Sequence, residues 1–220
     1  MQPPGRLIGS GRDADVYEID AAWVLRRSRQ GWGDQAAEGV VMEHVRAYGY
    51  PVPRVRLSDS SRTDLVMERL SGPTMLEAFV AGSLGPQEGG AILARLLRDL
   101  HAIPARRSGT ARILHLDLHP ENVILTADGP RVIDWTNTEE GEPALDWAIS
   151  SMILAQVAVT DTPLTAPATT LLTNLLTDPS HVTENALTEA RRRRAANPTM
   201  SRTEVELLGD AEDLIRSLMP

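Results

Sequence analysis

The 220-residue chain contains no cysteine and no lysine. The first absence excludes a disulfide framework and a thiolate metal site. The second is sharper: all 22 basic residues are Arg, so neither Schiff-base chemistry nor a lysine phosphate clamp is available. No apolar run reaches the roughly 18 residues of a spanning helix, and no apolar targeting segment follows the opening Met-Gln-Pro-Pro-Gly-Arg. The expectation is a cytoplasmic protein with no membrane partner. A net charge of −8 speaks against a general nucleic-acid binder and suits a cationic or neutral ligand. With 42% apolar residues, the length allows one large domain or two small lobes, each with a real core.

What is present centres on His115-Leu-Asp-Leu-His-Pro-Glu-Asn-Val-Ile-Leu125 and Arg131-Val-Ile-Asp-Trp135. The apolar runs Asn122 to Leu125 and Arg131 to Trp135 flank Thr-Ala-Asp-Gly-Pro, which predicts a hairpin. Asp117, Asn122 and Asp134 form a polar set at the mouth of this apolar ribbon, where unpartnered polar groups are costly. A carboxylate and an amide five residues apart, with a second carboxylate on the return strand, can position a hydroxyl and hold a divalent cation. Phosphoryl transfer needs such an arrangement. The plainer alternative is an Asp/Asn turn with local backbone bonds.

In the first third, Leu7 to Ile19 reads as strand, glycine turn, strand, and Trp23 to Arg27 as a third strand. Gly9 and Gly11 let backbone N–H groups approach phosphate oxygens, or simply make a hairpin turn. The residues fit neither a dinucleotide fingerprint nor a P-loop. Arg26 and Arg27 point to opposite faces if this is a strand. Gln35 to Tyr48 has helical period, and Glu38 within it is the candidate acid to pair with one of those arginines. Arg54 to Leu57 and Asp64 to Leu70 complete five expected strands. Ser71-Gly-Pro73 marks the border of this small lobe.

Further on, Thr74 to Val80 and Ala91 to Ala102 read as helices, with Gly82 to Gly90 as a linker whose Pro86 and Glu88 suit a helix start. His101 reads as a helix cap. Glu139, Glu140 and Glu142 either bind an amine-bearing substrate or form a solvated turn. Helices are expected over Leu145 to Val159, Ala168 to Leu176 and Val182 to Arg194. Arg191 to Arg194 is a surface run favourable to the helix dipole, or a site for an acidic substrate. Ser201 and Glu204 make a capping box for a last helix to Leu218.

These pieces together resemble the aminoglycoside phosphotransferase-like family, small-molecule kinases similar to choline and homoserine kinases. The resemblance rests on His115-x-Asp117-Leu-His119-Pro-x-Asn122-Val, Ile133-Asp134-Trp135, Gly141-x-Pro143 and Leu145-Asp146-Trp-Ala148. It extends more weakly upstream through the glycine loop, Glu38, Pro51-Val-Pro53, Met67 to Leu70 and Leu100-His101. It implies an α+β, two-lobed protein-kinase-like fold: a nucleotide-clamping lobe over residues 1–70, β-rich with one helix, and a mainly helical catalytic lobe over 71–220 carrying the hairpin. It implies ATP and Mg2+ as cofactors and a small-molecule hydroxyl acceptor as partner, with monomer or homodimer left undetermined. Asp117 takes the place of the catalytic base, with Asn122 and Asp134 as magnesium ligands. Gly9, Gly11, Arg26 and Glu38 take the places of the phosphate-holding residues. The backbone from Glu68 to Leu70 takes that of the adenine-facing connector, and Asp146 ties the catalytic loop to the following helix.

Two positions depart from the family pattern. Arg26 stands where a strand lysine is usual, and the exchange changes geometry as well as pKa. Leu116 stands where members usually carry Gly. Only 86 residues follow Asp134, which suggests a smaller or more open acceptor pocket. Two other readings stay open: a nucleotide-binding pseudokinase that acts as a scaffold, and nucleotidyl transfer on the same fold.

Overall fold

The computed structural model describes residues 5–11, 14–29, 33–177, 182–198 and 200–219. The expected glycine turn lies partly outside them, at Arg12 and Asp13, as does part of the polar link that follows Ser28. The chain divides into two compact units, residues 1–73 with 124–138, and residues 74–123 with 139–220.

The first unit is built on a four-stranded antiparallel sheet, β1 (Leu7–Ser10), β2 (Ala14–Glu18), β3 (Trp23–Ser28) and β4 (Asp64–Glu68), in that spatial order. Its one long helix, α1 (Gln35–Ala47), begins where the Asp34 side chain accepts the N–H of Ala37 at 3.1 Å. That is an ordinary N-cap for an orphan donor. The helix stops at Gly49, whose φ of 85° takes the chain into Pro51 and Pro53. Val41, Met42 and Val45 of α1 are buried, as are Val24 of β3 and Leu65 and Val66 of β4.

The expected strand Arg54 to Leu57 shrinks to a single bridge, Val55 to Met67, and Leu57–Asp59 turns into a 3-10 helix. The cause is local. The hydroxyl of Ser60 accepts the N–H of Val66 at 3.0 Å, and the Glu68 carboxylate accepts the N–H of Arg54 at 3.1 Å. Side chains thus take donors that a backbone ladder would use.

After a short strand of the second unit, β5 (Arg112–Leu114), the expected hairpin forms as β6 (Val123–Thr126) and β7 (Gly129–Val132). Its return strand ends three residues before Trp135, because Asp134 takes a left-handed conformation at φ 62°. The hairpin is tied to its unit by Leu125 N–H to the Pro73 carbonyl (2.9 Å) and Val132 N–H to that of Pro51 (2.8 Å).

The second unit is mainly helical: α2 (Met75–Val80), α3 (Pro86–His101), α4 (Pro143–Ala158), α5 (Thr165–Leu175), α6 (Glu184–Ala195), α7 (Arg202–Glu206) and α8 (Leu208–Leu218). Helix α4 is buried along most of its length and packs against α5, α6 and α8. The α3 helix begins at Pro86, so Gly89 and Gly90, expected in a linker, are helical. They permit close packing: a Cβ on Gly90 would lie 2.6 Å from Asn174 Cβ and 2.9 Å from the Leu171 carbonyl oxygen. The capping box at Ser201 and Glu204 forms, but the last helix breaks at Leu207 into α7 and α8. An additional strand, β8 (Glu139–Gly141), pairs antiparallel with β5.

Candidate active site

Each unit carries its own group of polar residues. In the first, β3 delivers Arg26, α1 delivers Glu38, and the left-handed turn after β7 delivers Asp134. Arg26 Nη1 donates to Glu38 Oε2 at 2.7 Å and Oε1 at 2.9 Å, and to Gln35 Oε1 at 3.0 Å. Its Nη2 donates to Asp134 Oδ1 at 2.8 Å and to Thr136 Oγ1 at 3.0 Å. Trp135 N–H closes the turn onto Glu38 Oε1 at 3.1 Å. Arg27 points the other way and forks onto Asp64 at 2.7 and 2.8 Å, as strand alternation requires.

The side chains of Arg26 and Glu38 are 11% and 4% exposed, whereas that of Asp134 is 40% exposed. Burial pushes the Glu38 carboxyl above its ordinary value, the charge of Asp134 acts in the same direction, and Arg26 opposes both. A planar fork with five donors can satisfy two carboxylates and two neutral acceptors together, which an ammonium with three cannot do in this geometry.

Around the glycine turn, Gly11 N–H donates to the Ala14 carbonyl at 2.9 Å, and Gly9 pairs with Val16 across the sheet. At the end of β4, the N–H groups of Glu68 and Arg69 are taken by the carbonyls of Arg54 and Ala22. The N–H of Leu70 makes no hydrogen bond among the described residues.

In the second unit the loop after β5 carries Asp117, His119 and Asn122. Asn122 sits in a 3-10 turn, Pro120–Asn122. Its Nδ2 donates to the Asp117 carbonyl at 2.9 Å and lies 3.4 Å from Asp117 Oδ2 and 3.2 Å from His119 Nε2. The loop is held from beneath by Asp146 of α4, whose carboxylate accepts the N–H groups of His115 at 2.8 Å and Leu116 at 2.7 Å. Leu116 adopts φ 61°. A glycine adopts that region freely and a leucine does not, so the position where the family usually has Gly does need a left-handed backbone.

His101, read from sequence as a cap, instead places Nε2 3.0 Å from Asp146 Oδ2. Sequence spacing gave no sign of this partner, 45 residues away. Thr136 was missed as well, although its place two residues after Asp134 in a turn could have marked it. The acidic stretch is largely consumed internally. Glu139 pairs with Arg193 at 2.9 Å, and Glu140 accepts the N–H groups of Arg106 and Arg107 at 3.2 and 3.1 Å. The arginine run is equally engaged: Arg191 with Glu212, Arg192 and Arg193 with Glu189, and Arg194 with Gln156.

Among the described residues, no group of three or more His, Asp or Glu side chains is placed to hold a metal ion. A magnesium site completed by phosphate oxygens and water needs only one or two protein oxygens. Asn122 of the second unit, with its amide nitrogen turned to the loop backbone, and Asp134 of the first, with its carboxylate partly exposed, each offer an oxygen of the type such a site uses.

A unit built on an antiparallel four-stranded sheet with one helix, together with a helical unit bearing a His-x-Asp-x-x-x-x-Asn loop, defines a protein-kinase-like fold of the small-molecule kinase type. The chain belongs to the phosphotransferase enzyme family, whose sequence profile matches residues 4–113 and 93–184. No curated protein sequence matches it. Among solved structures it is similar to the ADP-bound aminoglycoside phosphotransferase APH(2'')-Ib, with 15% identity, 96% of this chain and 92% of that chain covered, and a TM-score of 0.55. It is also similar to the aminoglycoside phosphotransferase APH(4)-Ia, with 14% identity, 96% and 93% covered, and a TM-score of 0.55. A third is the gentamicin–APH(2'')-IIa complex, with 13% identity, 98% and 93% covered, and a TM-score of 0.54. At such identities the likeness is one of fold.

Proposed function

We propose that the protein transfers the γ-phosphate of ATP to a hydroxyl of a small molecule. The observation that carries this reading is the convergence of a strand cation, a buried helix acid and a turn carboxylate in Arg26, Glu38 and Asp134, in a chain of the phosphotransferase family. Arg26 and the backbone at Gly9 and Gly11 hold the phosphates, and Glu38 orients Arg26. The backbone from Glu68 to Leu70 meets the adenine ring, where the N–H of Leu70 is available as a donor. Asn122 and Asp134 hold Mg2+, which when bound offsets charge on the phosphate oxygens.

Asp117 accepts the proton of the acceptor hydroxyl. The acceptor oxygen bonds to the γ-phosphorus while the bond to the β–γ bridging oxygen breaks, giving R–O–phosphate, ADP and a proton passed on to solvent. Positioning and fixed charge supply most of the acceleration. The acceptor is a hydroxylated metabolite or an amine-bearing compound such as an aminoglycoside.

The test is an ATP-consumption assay with mass-resolved products over a panel of hydroxylated metabolites and aminoglycosides. A product heavier by one phosphoryl group is expected. A product heavier by AMP indicates nucleotidyl transfer, and tight ATP binding without turnover indicates a scaffold. Asp117→Asn is expected to lower turnover by roughly 10²–10⁴-fold while ATP affinity, measured by calorimetry, is unchanged. Full activity in that variant would remove Asp117 from the role of base.

A further inference from the structure

The hydroxyl of Thr136 lies at the centre of the charged group in the first unit. It donates to Asp134 Oδ1 at 2.8 Å and accepts from Arg26 Nη2 at 3.0 Å, while Nη2 also donates to the same Oδ1 at 2.8 Å. The donors and acceptors close consistently: two protons on Nη2 serve the two oxygens, and the single hydroxyl proton serves the carboxylate. Glu38 Oε2, at 3.4 Å, is a weaker second neighbour.

This arrangement depends on the backbone turn. Asp134 is left-handed at φ 62°, and with Trp135 N–H on Glu38 the chain brings the side chain two residues later back onto the carboxylate. Thr136 is itself exposed, and the carboxylate to which it donates is the exposed member of the group, at 40% against 11% for Arg26.

We infer that Thr136 is a positioning residue for phosphoryl transfer: its hydroxyl fixes the Asp134 carboxylate in the orientation in which Asp134 meets the divalent cation. The inference rests on the reading of Asp134 as a metal ligand given above. Its physical basis is that Arg26 serves two masters in that reading. A phosphate competes with Asp134 for the guanidinium, because both are anionic and both suit the same fork. A neutral hydroxyl is not drawn off in this way. When nucleotide takes Arg26, Thr136 keeps a donor on Oδ1 and limits rotation of the carboxylate, as second-layer groups do for metal ligands generally.

The experiment measures Mn2+ binding by electron paramagnetic resonance on the full chain saturated with ADP. Wild type is compared with Thr136→Val, Thr136→Ser, the neighbouring Asn137→Ala and Asp134→Asn. Thr136→Val keeps the shape and loses the hydroxyl; it is expected to weaken Mn2+ binding roughly tenfold. Thr136→Ser keeps the hydroxyl and stays within about twofold of wild type, as does Asn137→Ala. ADP affinity measured without metal is expected to be the same in wild type and Thr136→Val, which separates an effect on the ligand from a general loosening. Thr136→Val binding Mn2+ as wild type does, with Asp134→Asn impaired, overturns the inference and leaves the functional reading standing. Equal weakening in Thr136→Val and Thr136→Ser also overturns it, since the hydroxyl would then be irrelevant. Unchanged binding in Asp134→Asn overturns both.

Discussion

At Arg26 a single guanidinium holds β3, α1 and the turn after β7 together, and its removal is felt first by Glu38. That carboxylate is 4% exposed, so Arg26→Met leaves a buried acid without its cation. The expected cost is about 3–5 kcal/mol, read as a lowered denaturation midpoint. The pH dependence follows from the direction of the Glu38 shift. Burial raises its folded pKa above 4.5, so the folded state holds the proton more tightly than the unfolded chain. The associated stability is complete below 4.5 and is lost as pH rises through the folded value. Without Arg26 the upward push loses its main counterweight and keeps only the Trp135 N–H, so urea midpoints of Arg26→Met are expected to fall more steeply with rising pH than those of wild type. Parallel profiles would mean that Glu38 does not depend on Arg26. The pairing of Glu38 with an arginine was legible in the sequence, because strand alternation leaves one of two adjacent arginines on the helix side. The roles of Thr136 and His101 were not, since each depends on a partner that neither spacing nor period fixes.

Among the elements, helix α3 shows how packing overrides local preference. Glycines weaken an isolated helix, and for that reason Gly82 to Gly90 reads as a linker. In the fold, Gly89 and Gly90 lie within α3, where Phe79, Leu171 and Asn174 leave no room for a Cβ. Gly90→Ala gains roughly 1 kcal/mol of helix propensity but drives a methyl into the Leu171 carbonyl and Asn174. A net loss of about 1–3 kcal/mol is expected, measured by urea unfolding; a stabilised variant would show that α5 yields easily. The long helices α1 and α4 were legible for different reasons, α1 by its helical period behind the Asp34 cap and α4 by a long apolar run that is buried nearly all round. The short strands were harder. Arg54 to Leu57 has strand composition but loses its ladder to Ser60 and Glu68. Residues Glu139–Gly141 have turn composition, yet they pair with Arg112–Leu114 immediately before the loop that carries Asp117 and Asn122. In both cases side-chain hydrogen bonds and distant partners, not propensity, decide.

Across the whole molecule, 30 acids face 22 arginines, and much of the arginine complement is spent on internal ion pairs. In the second unit Glu189 is held down to about 2 by Arg192 and Arg193 of its own helix, while Arg191 on Glu212 joins α6 to α8, Arg193 on Glu139 joins it to β8 and Arg194 on Gln156 joins it to α4. The run Arg191 to Arg194 is therefore a structural seam. The same one-sided choice of base has a consequence for chemical labelling. A nucleotide bearing an acyl phosphate marks its site by acylating a nearby amine, and Arg26 offers in that place a guanidinium that stays protonated at any working pH. Incubated with such a reagent and mapped by mass spectrometry, the folded protein is expected to carry no acyl group within β3, whatever its affinity for the nucleotide. Acylation at Arg26 would contradict this. A profiling experiment that counts kinases by their reactive amines would pass this one over.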